Sequence, residues 1–317
     1  MIDRDTKVKD LPGLQDFVKY FNYNDTKEWL EVDCSLNELY GRFHDMEPEA
    51  LCLGLETVLK NLQKGEVIHQ VYSETGEKKE DVVLFSFLTE EPSEKPFVIV
   101  CAGGAYLNVV NAKEGFPVCA RLAQLGYPSF TLNYRVCMDN EIDHALSDLS
   151  AGIKYVLSHK EELGVKSDEY ILIGGSAGAH LITQFCVKDV GYGKAGLHAP
   201  KAIVPEYLPV MNFDPEKEKE PFADNIYGSS YSVEKVKKYD ILSHVDADFP
   251  PTFLVHAIND ELVPYQNSVD MVEALDKAGV KNVLITSPDS GHGFAYGNGT
   301  GAEGWVDKAA DFFETIK

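Results

Sequence analysis

The sequence predicts an α/β protein built on a mainly parallel, eight-stranded sheet with helices on both faces, preceded by a helical N-terminal extension. Three observations carry this. Short apolar runs recur along the chain, several of them continuous rather than alternating, as expected of strands covered on both faces. From residue 97 onward these runs alternate with amphipathic helical stretches, the pattern of parallel strands joined by helical crossovers. The chain has 317 residues, 44 % of them hydrophobic and 25 % charged, which suffices for one large globular α/β unit.

The elements follow in order. Residues 1–45 are aromatic and weakly periodic. A helix is expected over 48–63: Pro48 suits a first turn, Leu51, Leu55, Val58, Leu59 and Leu62 share a face, and Gly65 ends it. Strands are expected at 66–72, 82–88, 97–102, 128–133, 170–174, 202–210, 252–257 and 282–287. No helix separates the first two, which predicts an antiparallel edge. Helices are expected at 115–125, 144–160, 177–188, 265–279 and 302–316. Two units follow: 1–65 as an extension packed on the core, and 66–317 as the main domain. Segment 211–250 is acidic, with Pro215, Pro221 and Pro250 among Phe213, Phe222, Tyr227 and Tyr231. It is long for a connection, and a lid or substrate loop and a plain surface excursion fit it equally well.

Charge and cysteine usage exclude several classes. The formal net charge of −22 repels phosphate backbones and anionic membranes, so neither nucleic acid nor a membrane is an expected partner. No run approaches the roughly 18 apolar residues of a membrane span, and MIDRDTKVKDLPGLQDF carries no apolar h-region, so the expected location is the cytoplasm. Cys34, Cys52, Cys101, Cys119, Cys137 and Cys186 form no C-x-x-C pair. They are expected to be reduced, buried and structural. With no H-E-x-x-H or similar ligand set, neither a metal nor another cofactor is expected.

Gly174-Gly175-Ser176-Ala177-Gly178 fits G-x-S-x-G between an apolar strand (YILIG) and a helix (AGAHLITQFCV). A chain turning this sharply collides with side chains at the flanking positions, hence the glycines. In return the serine hydroxyl stands exposed at a helix N-terminus, where the dipole favours developing negative charge. Ser176 is therefore the expected nucleophile. Gly191-Tyr192-Gly193-Lys194-Ala195-Gly196 also fits G-x-G-x-x-G, but it follows a helix and precedes a strand, the reverse of a dinucleotide site, and reads as a turn. The strand at 97–102 runs into Cys101-Ala102-Gly103-Gly104-Ala105-Tyr106, whose small residues would let backbone N–H groups face an oxyanion, with the Ala177 N–H as a further donor.

Nucleophile, acid and base are expected in that chain order. After TFLVHA comes Ile258-Asn259-Asp260-Glu261-Leu262-Val263-Pro264, which offers Asp260 as the acid and Glu261 as the fallback. After NVLITS comes Pro288-Asp289-Ser290-Gly291-His292-Gly293-Phe294, in which glycines on both sides free His292 to act as the base. His180 reads as a packing residue and His256 as a buried strand residue.

These segments resemble the α/β-hydrolase superfamily, near its acetyl-esterase/lipase and hormone-sensitive-lipase-like groups, over about residues 66–317. The resemblance rests on GGSAGAHL at 174–181, CAGGAY at 101–106, NYRV at 133–136, PPTFLVHAINDELVP at 250–264 and SGHGF at 290–294. HGFAYGNGTGAEGWVDKAADFF is similar to bacterial members described as sugar-ester or xylan-ester hydrolases. The resemblance implies hydrolysis of small acyl esters, including those of carbohydrates, with Gly104, Ala105 and Ala177 as oxyanion donors and Tyr106 in the substrate-binding loop. Two departures stand out: Ala102-Gly103-Gly104-Ala105 replaces the usual His or Pro and three glycines, and the glycine common before the acid is missing. A small-molecule ester is the expected partner, and self-association into a homo-oligomer is left open. Amide or peptide cleavage by the same triad, and a non-enzymatic binding protein on this scaffold, are the alternatives.

Overall fold

The computed structural model describes residues 5–10, 20, 35, 37–38, 48–62, 65, 67–211 and 223–316. Eight strands form one sheet: β1 (Ile68–Gln70), β2 (Val83–Phe87), β3 (Phe97–Cys101), β4 (Ser129–Asn133), β5 (Tyr170–Gly175), β6 (Ala202–Glu206), β7 (Thr252–Ala257) and β8 (Asn282–Ser287). Their spatial order is β1-β2-β4-β3-β5-β6-β7-β8. β2 runs antiparallel to both β1 and β4, and every other neighbouring pair is parallel. All eight expected strands are present, and the antiparallel edge lies where the missing helix placed it.

Strands β2 to β7 are buried along their whole length, which accounts for their continuous apolar sequences. Alternate residues feed two cores. Val98 and Val100 of β3 and Ile171 and Ile173 of β5 face one, with Leu51, Leu55 and Val58 of α1 (Pro48–Leu62), Phe116 and Val118 of α2 (Phe116–Gln124) and Trp305 and Ala309 of α8 (Trp305–Glu314). Ile99, Cys101, Tyr170 and Leu172 face the other, with Ile142 and Leu149 of α3 (Glu141–Ser158), Leu181 and Ile182 of α4 (Ala177–Phe185) and Met271 and Leu275 of α7 (Gln266–Ala278). The helix predicted at 48–63 thus shares a core with the sheet.

Segment 211–250 is only partly described. Residues 212–222, which hold Phe213, Pro215, Pro221 and Phe222, lie outside the described residues. Beyond them the chain forms two short helices that periodicity did not predict, α5 (Ala223–Tyr227) and α6 (Val233–Lys238), the latter capped by Ser232, whose hydroxyl accepts the Lys235 N–H. Cys52, Cys101, Cys119 and Cys186 are buried as expected, and Cys34 lies outside the described residues. Cys137 departs from the expectation: it is exposed, because the chain leaves the sheet after β4 and turns there through a left-handed residue. Among the described residues no helix is long and apolar enough to cross a membrane.

The chain leaves β3 for one side of the sheet and returns to β5 on the other, so the strand order reverses between them. The crevice beyond the carboxyl ends of such strands is the usual ligand site of an open α/β sheet. The loops after β3 and β5 meet there, joined by those after β7 and β8.

Candidate active site

Ser176 stands between β5 and α4 with φ 52° and ψ −117°, a backbone conformation that costs a non-glycine residue about 1–3 kcal/mol. The fold holds it there with a hydrogen bond from its N–H to the Glu206 carbonyl (3.1 Å), while its own carbonyl accepts the His180 N–H (3.0 Å). The glycines around it follow from contact distances. A methyl group on Gly178 would stand 1.8 Å from the Cys101 carbonyl oxygen, and one on Gly174 would stand 2.5 Å from the Gly178 backbone. Helix α4 therefore packs directly onto the end of β3, which only a hydrogen in place of Cβ permits.

His292 reaches the site on the loop after β8, with Gly291 and Gly293 on either side at φ 66° and 69°. That loop is anchored at several points. The indole N–H of fully buried Trp305 donates to the Ala295 carbonyl (2.8 Å), Gly291 N–H to Asn259 Oδ1 (3.0 Å) and Gly301 N–H to Asp289 Oδ1 (2.9 Å). The imidazole Nε2 lies 3.1 Å from Ser176 Oγ, and its Nδ1 lies 2.8 Å from Asp260 Oδ2. Nδ1 faces an acceptor-only carboxylate, so it carries the proton, and Nε2 is left to accept from the serine hydroxyl.

Asp260 has a fully buried carboxyl that receives hydrogen bonds on both oxygens. Oδ1 accepts the N–H groups of Leu262 (2.9 Å) and Val263 (2.8 Å), and Oδ2 accepts from His292 and stands 3.2 Å from His256 Nε2. Burial opposes its charge, but the hydrogen bonds from His256, His292 and Val263 outweigh it and hold the carboxyl well below its usual range. Neighbouring Glu261 is exposed and has no part in this arrangement.

The sequence placed His256 as buried, and it is, but its contact with Asp260 was missed. Its Nε2 lies between Asp260 Oδ2 and the Val263 carbonyl (3.0 Å), while Nδ1 meets the Ser268 hydroxyl at 2.7 Å. Two acceptors on one side fix the proton on Nε2, so Nδ1 accepts from Ser268. The i, i+4 spacing of His256 and Asp260 across the turn after β7 was the available signal. His180 is the packing residue it was expected to be: fully buried, with burial pushing it down to about 3 and so keeping it neutral.

The loop after β3 lies against the serine. A methyl group on Gly103 would stand 3.0 Å from Ser176 Cβ and 2.9 Å from the Gly175 carbonyl oxygen. Gly104, Ala105 and Tyr106 all take positive φ (130°, 55° and 58°), so the Cβ of Ala105 is accommodated in a left-handed turn where the resembling family has glycine. Ala177 is the first residue of α4, so its N–H has no partner within the helix. Tyr106 requires a correction. Its ring is 1 % exposed and packs edge-on against His180, and its hydroxyl shares a 2.9 Å hydrogen bond with His180 Nδ1. It supports the loop from below rather than facing a substrate.

The NYRV stretch is structural. Asn133 Nδ2 donates to the Asp81 carbonyl (2.9 Å), the Tyr134 hydroxyl donates to the Ala102 carbonyl (2.7 Å), and Arg135 forms a buried ion pair with Asp148 at 2.7 Å. Among the described residues no group of three or more His, Cys, Asp or Glu could hold a metal.

Comparison with known proteins agrees with this architecture. The BD-FAE family profile matches residues 87–275, a stretch that holds Ser176 and Asp260 and stops short of His292. A probable carboxylic ester hydrolase, LipM, of Mycobacterium tuberculosis is 26 % identical over 63 % of this chain and 49 % of its own. An acetylxylan esterase of Xylanibacter ruminicola is 25 % identical over 67 % of this chain and 43 % of its own. The chain thus spans about half the length of the curated relatives it matches. Among solved structures, an acetyl ester-xyloside bifunctional hydrolase from Caldicellulosiruptor lactoaceticus superposes with a TM-score of 0.66 at 25 % identity, covering 78 % of this chain and 96 % of that one. The chain belongs to the BD-FAE family, on the α/β-hydrolase fold.

Proposed function

We propose that the protein is a serine carboxylic-ester hydrolase acting on short acyl esters, acetyl above all, including those carried by carbohydrates. The observation that carries this reading is the hydrogen-bonded series Ser176 Oγ–His292–Asp260, with spacings of 3.1 Å and 2.8 Å. Packing alone does not require a serine at a strained φ to meet an imidazole whose far nitrogen is held by a buried carboxylate. The names of the relatives support ester chemistry, and two of them name acetyl or xylan esters.

In this reading Ser176 Oγ attacks the acyl carbon while its proton passes to His292 Nε2. The resulting imidazolium is stabilised by Asp260, which stays ionised. The carbonyl π pair moves onto oxygen, and the N–H groups of Gly104, Ala105 and Ala177 receive that oxyanion, each such donor contributing about 3 kcal/mol. Collapse breaks the bond to the alcohol, whose oxygen takes the proton from Nε2, and leaves an acyl-Ser176 ester. Water then repeats the sequence and releases the carboxylic acid. Residues 66–317 form the catalytic unit.

The test is turnover of p-nitrophenyl acetate by the purified protein and by Ser176→Ala. Hydrolysis that falls by several orders of magnitude in a folded variant is the expected result. Undiminished turnover would overturn the assignment. An aminoacyl-anilide panel run beside it separates ester from amide cleavage, and a set of acetylated xylo-oligosaccharides tests the carbohydrate substrate.

A further inference from the structure

One buried acid touches most of the site without belonging to the triad. Glu114 lies on a π-helical turn, Asn111–Gly115, between β3 and α2, and is 5 % exposed. Its Oε2 accepts the Gly103 N–H at 2.6 Å. The same oxygen would stand 3.0 Å from a methyl on Gly103 and 2.8 Å from one on Gly175, so the carboxyl is wedged between the loop after β3 and the residue preceding the nucleophile. Its Oε1 would stand 3.8 Å from a methyl on Gly293, next to His292. Tyr207 closes the far side: its Oη would stand 2.5 Å from the same Gly175 methyl, and its ring meets the His292 imidazole with centroids 4.9 Å apart.

We infer that Glu114 is the positioning residue of the oxyanion loop: by holding the Gly103 N–H it fixes the Ala102–Gly103 peptide plane, and so the Gly103 Cα from which the next peptide, with its Gly104 N–H, sets out. The inference rests on the reading of Ser176 as nucleophile. It follows from the order of bonds along the loop. The Ala102 carbonyl accepts from the Tyr134 hydroxyl (2.7 Å), the Gly103 N–H donates to Glu114, and the Gly103 carbonyl accepts the Val110 N–H (3.1 Å). Both peptide planes flanking Gly103 are thereby pinned. In a trans peptide the Gly104 N–H points opposite the Gly103 carbonyl, so pinning that carbonyl aims that N–H. Gly103 has no side chain to hold itself in place. Of its three tethers Glu114 alone is a side chain on the Gly103 residue itself, and a carboxylate acceptor makes the strongest of the three bonds.

Three variants test this, with Ser176→Ala run alongside. Glu114→Gln keeps an oxygen at the same reach and can still accept the Gly103 N–H. Glu114→Asp keeps the carboxylate but withdraws it by one methylene. Glu114→Ala removes the acceptor. With p-nitrophenyl acetate, kcat of Glu114→Gln should stay within about five-fold of the parent. Glu114→Asp and Glu114→Ala should lose about 10- to 100-fold in kcat, with KM within about three-fold, because an oxyanion donor acts in the transition state. The rate of inactivation by a p-nitrophenyl phosphonate, whose transition state also places charge on oxygen, should fall in parallel. A role confined to charge would spare Glu114→Asp instead, and a role confined to packing would lower melting temperature and leave kcat of the folded protein unchanged; either pattern overturns the inference. If Glu114→Ala does not fold, the order of Gln above Asp decides. If Ser176→Ala keeps its turnover the underlying reading fails, whereas a dead Ser176→Ala beside an active Glu114→Asp refutes only the role of Glu114.

Discussion

Asp260 and Glu261 are adjacent carboxylates, and replacing each by its amide separates them sharply. In Asp260→Asn one side-chain atom must still accept the N–H groups of Leu262 and Val263 at 2.9 and 2.8 Å, a task only the amide oxygen performs. The NH2 is then turned toward His292 Nδ1 and His256 Nε2, where Oδ2 now accepts at 2.8 and 3.2 Å. Donor faces donor at both contacts. His292 relieves its clash by moving its proton to Nε2, and that tautomer cannot accept the Ser176 proton. A wrong tautomer at this place in a Ser–His–Asp array is worth about four orders of magnitude in kcat, or about 5.5 kcal/mol of barrier. His256 cannot shift in the same way, because the Val263 carbonyl at 3.0 Å also needs its Nε2 proton. The variant therefore also loses stability, by about 1–3 kcal/mol for a buried donor left unpaired. Glu261→Gln alters an exposed side chain and should leave kcat within about two-fold. The assay is kcat for p-nitrophenyl acetate at a temperature where melting curves show both proteins folded. Glu261→Gln as the more damaging change, or Asp260→Asn within ten-fold of the parent, would refute the argument.

Other expectations follow from the same geometry. His256→Leu deletes one donor to Asp260 and strands the Val263 carbonyl and Ser268 hydroxyl, so kcat should fall about ten-fold with a loss of about 2–3 kcal/mol in stability; unchanged urea and kinetic profiles would remove His256 from the account. Gly178→Ala places a methyl 1.8 Å from the Cys101 carbonyl and should yield no soluble folded protein, judged by circular dichroism. Burial raises the Glu141 carboxyl to about 7. Since its folded value exceeds the unfolded one, the folded chain holds a proton that the unfolded chain releases from about pH 4.5 upward, and stability falls from there to about pH 7. Glu141→Gln, which keeps an acceptor for the Met138 N–H, should therefore gain up to about 3 kcal/mol over the parent at pH 8 and little at pH 5. The charged run DPEKEKEP at 214–221 predicts a preference for acetyl to butyryl esters, and equal turnover of dodecanoyl esters would count against it.

Much of this molecule was legible in its sequence because the relevant forces are local. A strand buried on both faces must be apolar throughout, and a serine forced into a tight strand-to-helix turn needs glycines beside it, so β2 to β7 and the elbow announced themselves. His292 and Asp260 were legible through their order after β7 and β8. What escaped depends on contacts between distant parts of the chain. Nothing near Glu114 says that its carboxyl will meet Gly103. Tyr106 sits in the right loop, yet its positive φ turns the ring down onto His180, and neighbouring residues do not encode that direction. The helices at 223–227 and 233–238 are too short for periodicity, although Ser232 marks the second with an ordinary cap. Cys137 was misplaced because its apolar neighbours Tyr134 and Val136, just past the end of β4, are buried, while the cysteine itself has already turned outward.

Ala105 and Tyr106 are successive residues with Cβ atoms at φ 55° and 58°. Each spends roughly 1–2 kcal/mol against its own backbone preference. A loop held this way is a loaded spring latched by its neighbours, and warming releases a spring before it melts the frame around it. The protein should consequently have two melting points. Turnover of p-nitrophenyl acetate, the assay of the proposed activity, would fade first, as the latch opens and the loop relaxes toward ordinary φ. The ellipticity of the sheet would persist to a higher temperature, and cooling from between the two would bring the activity back.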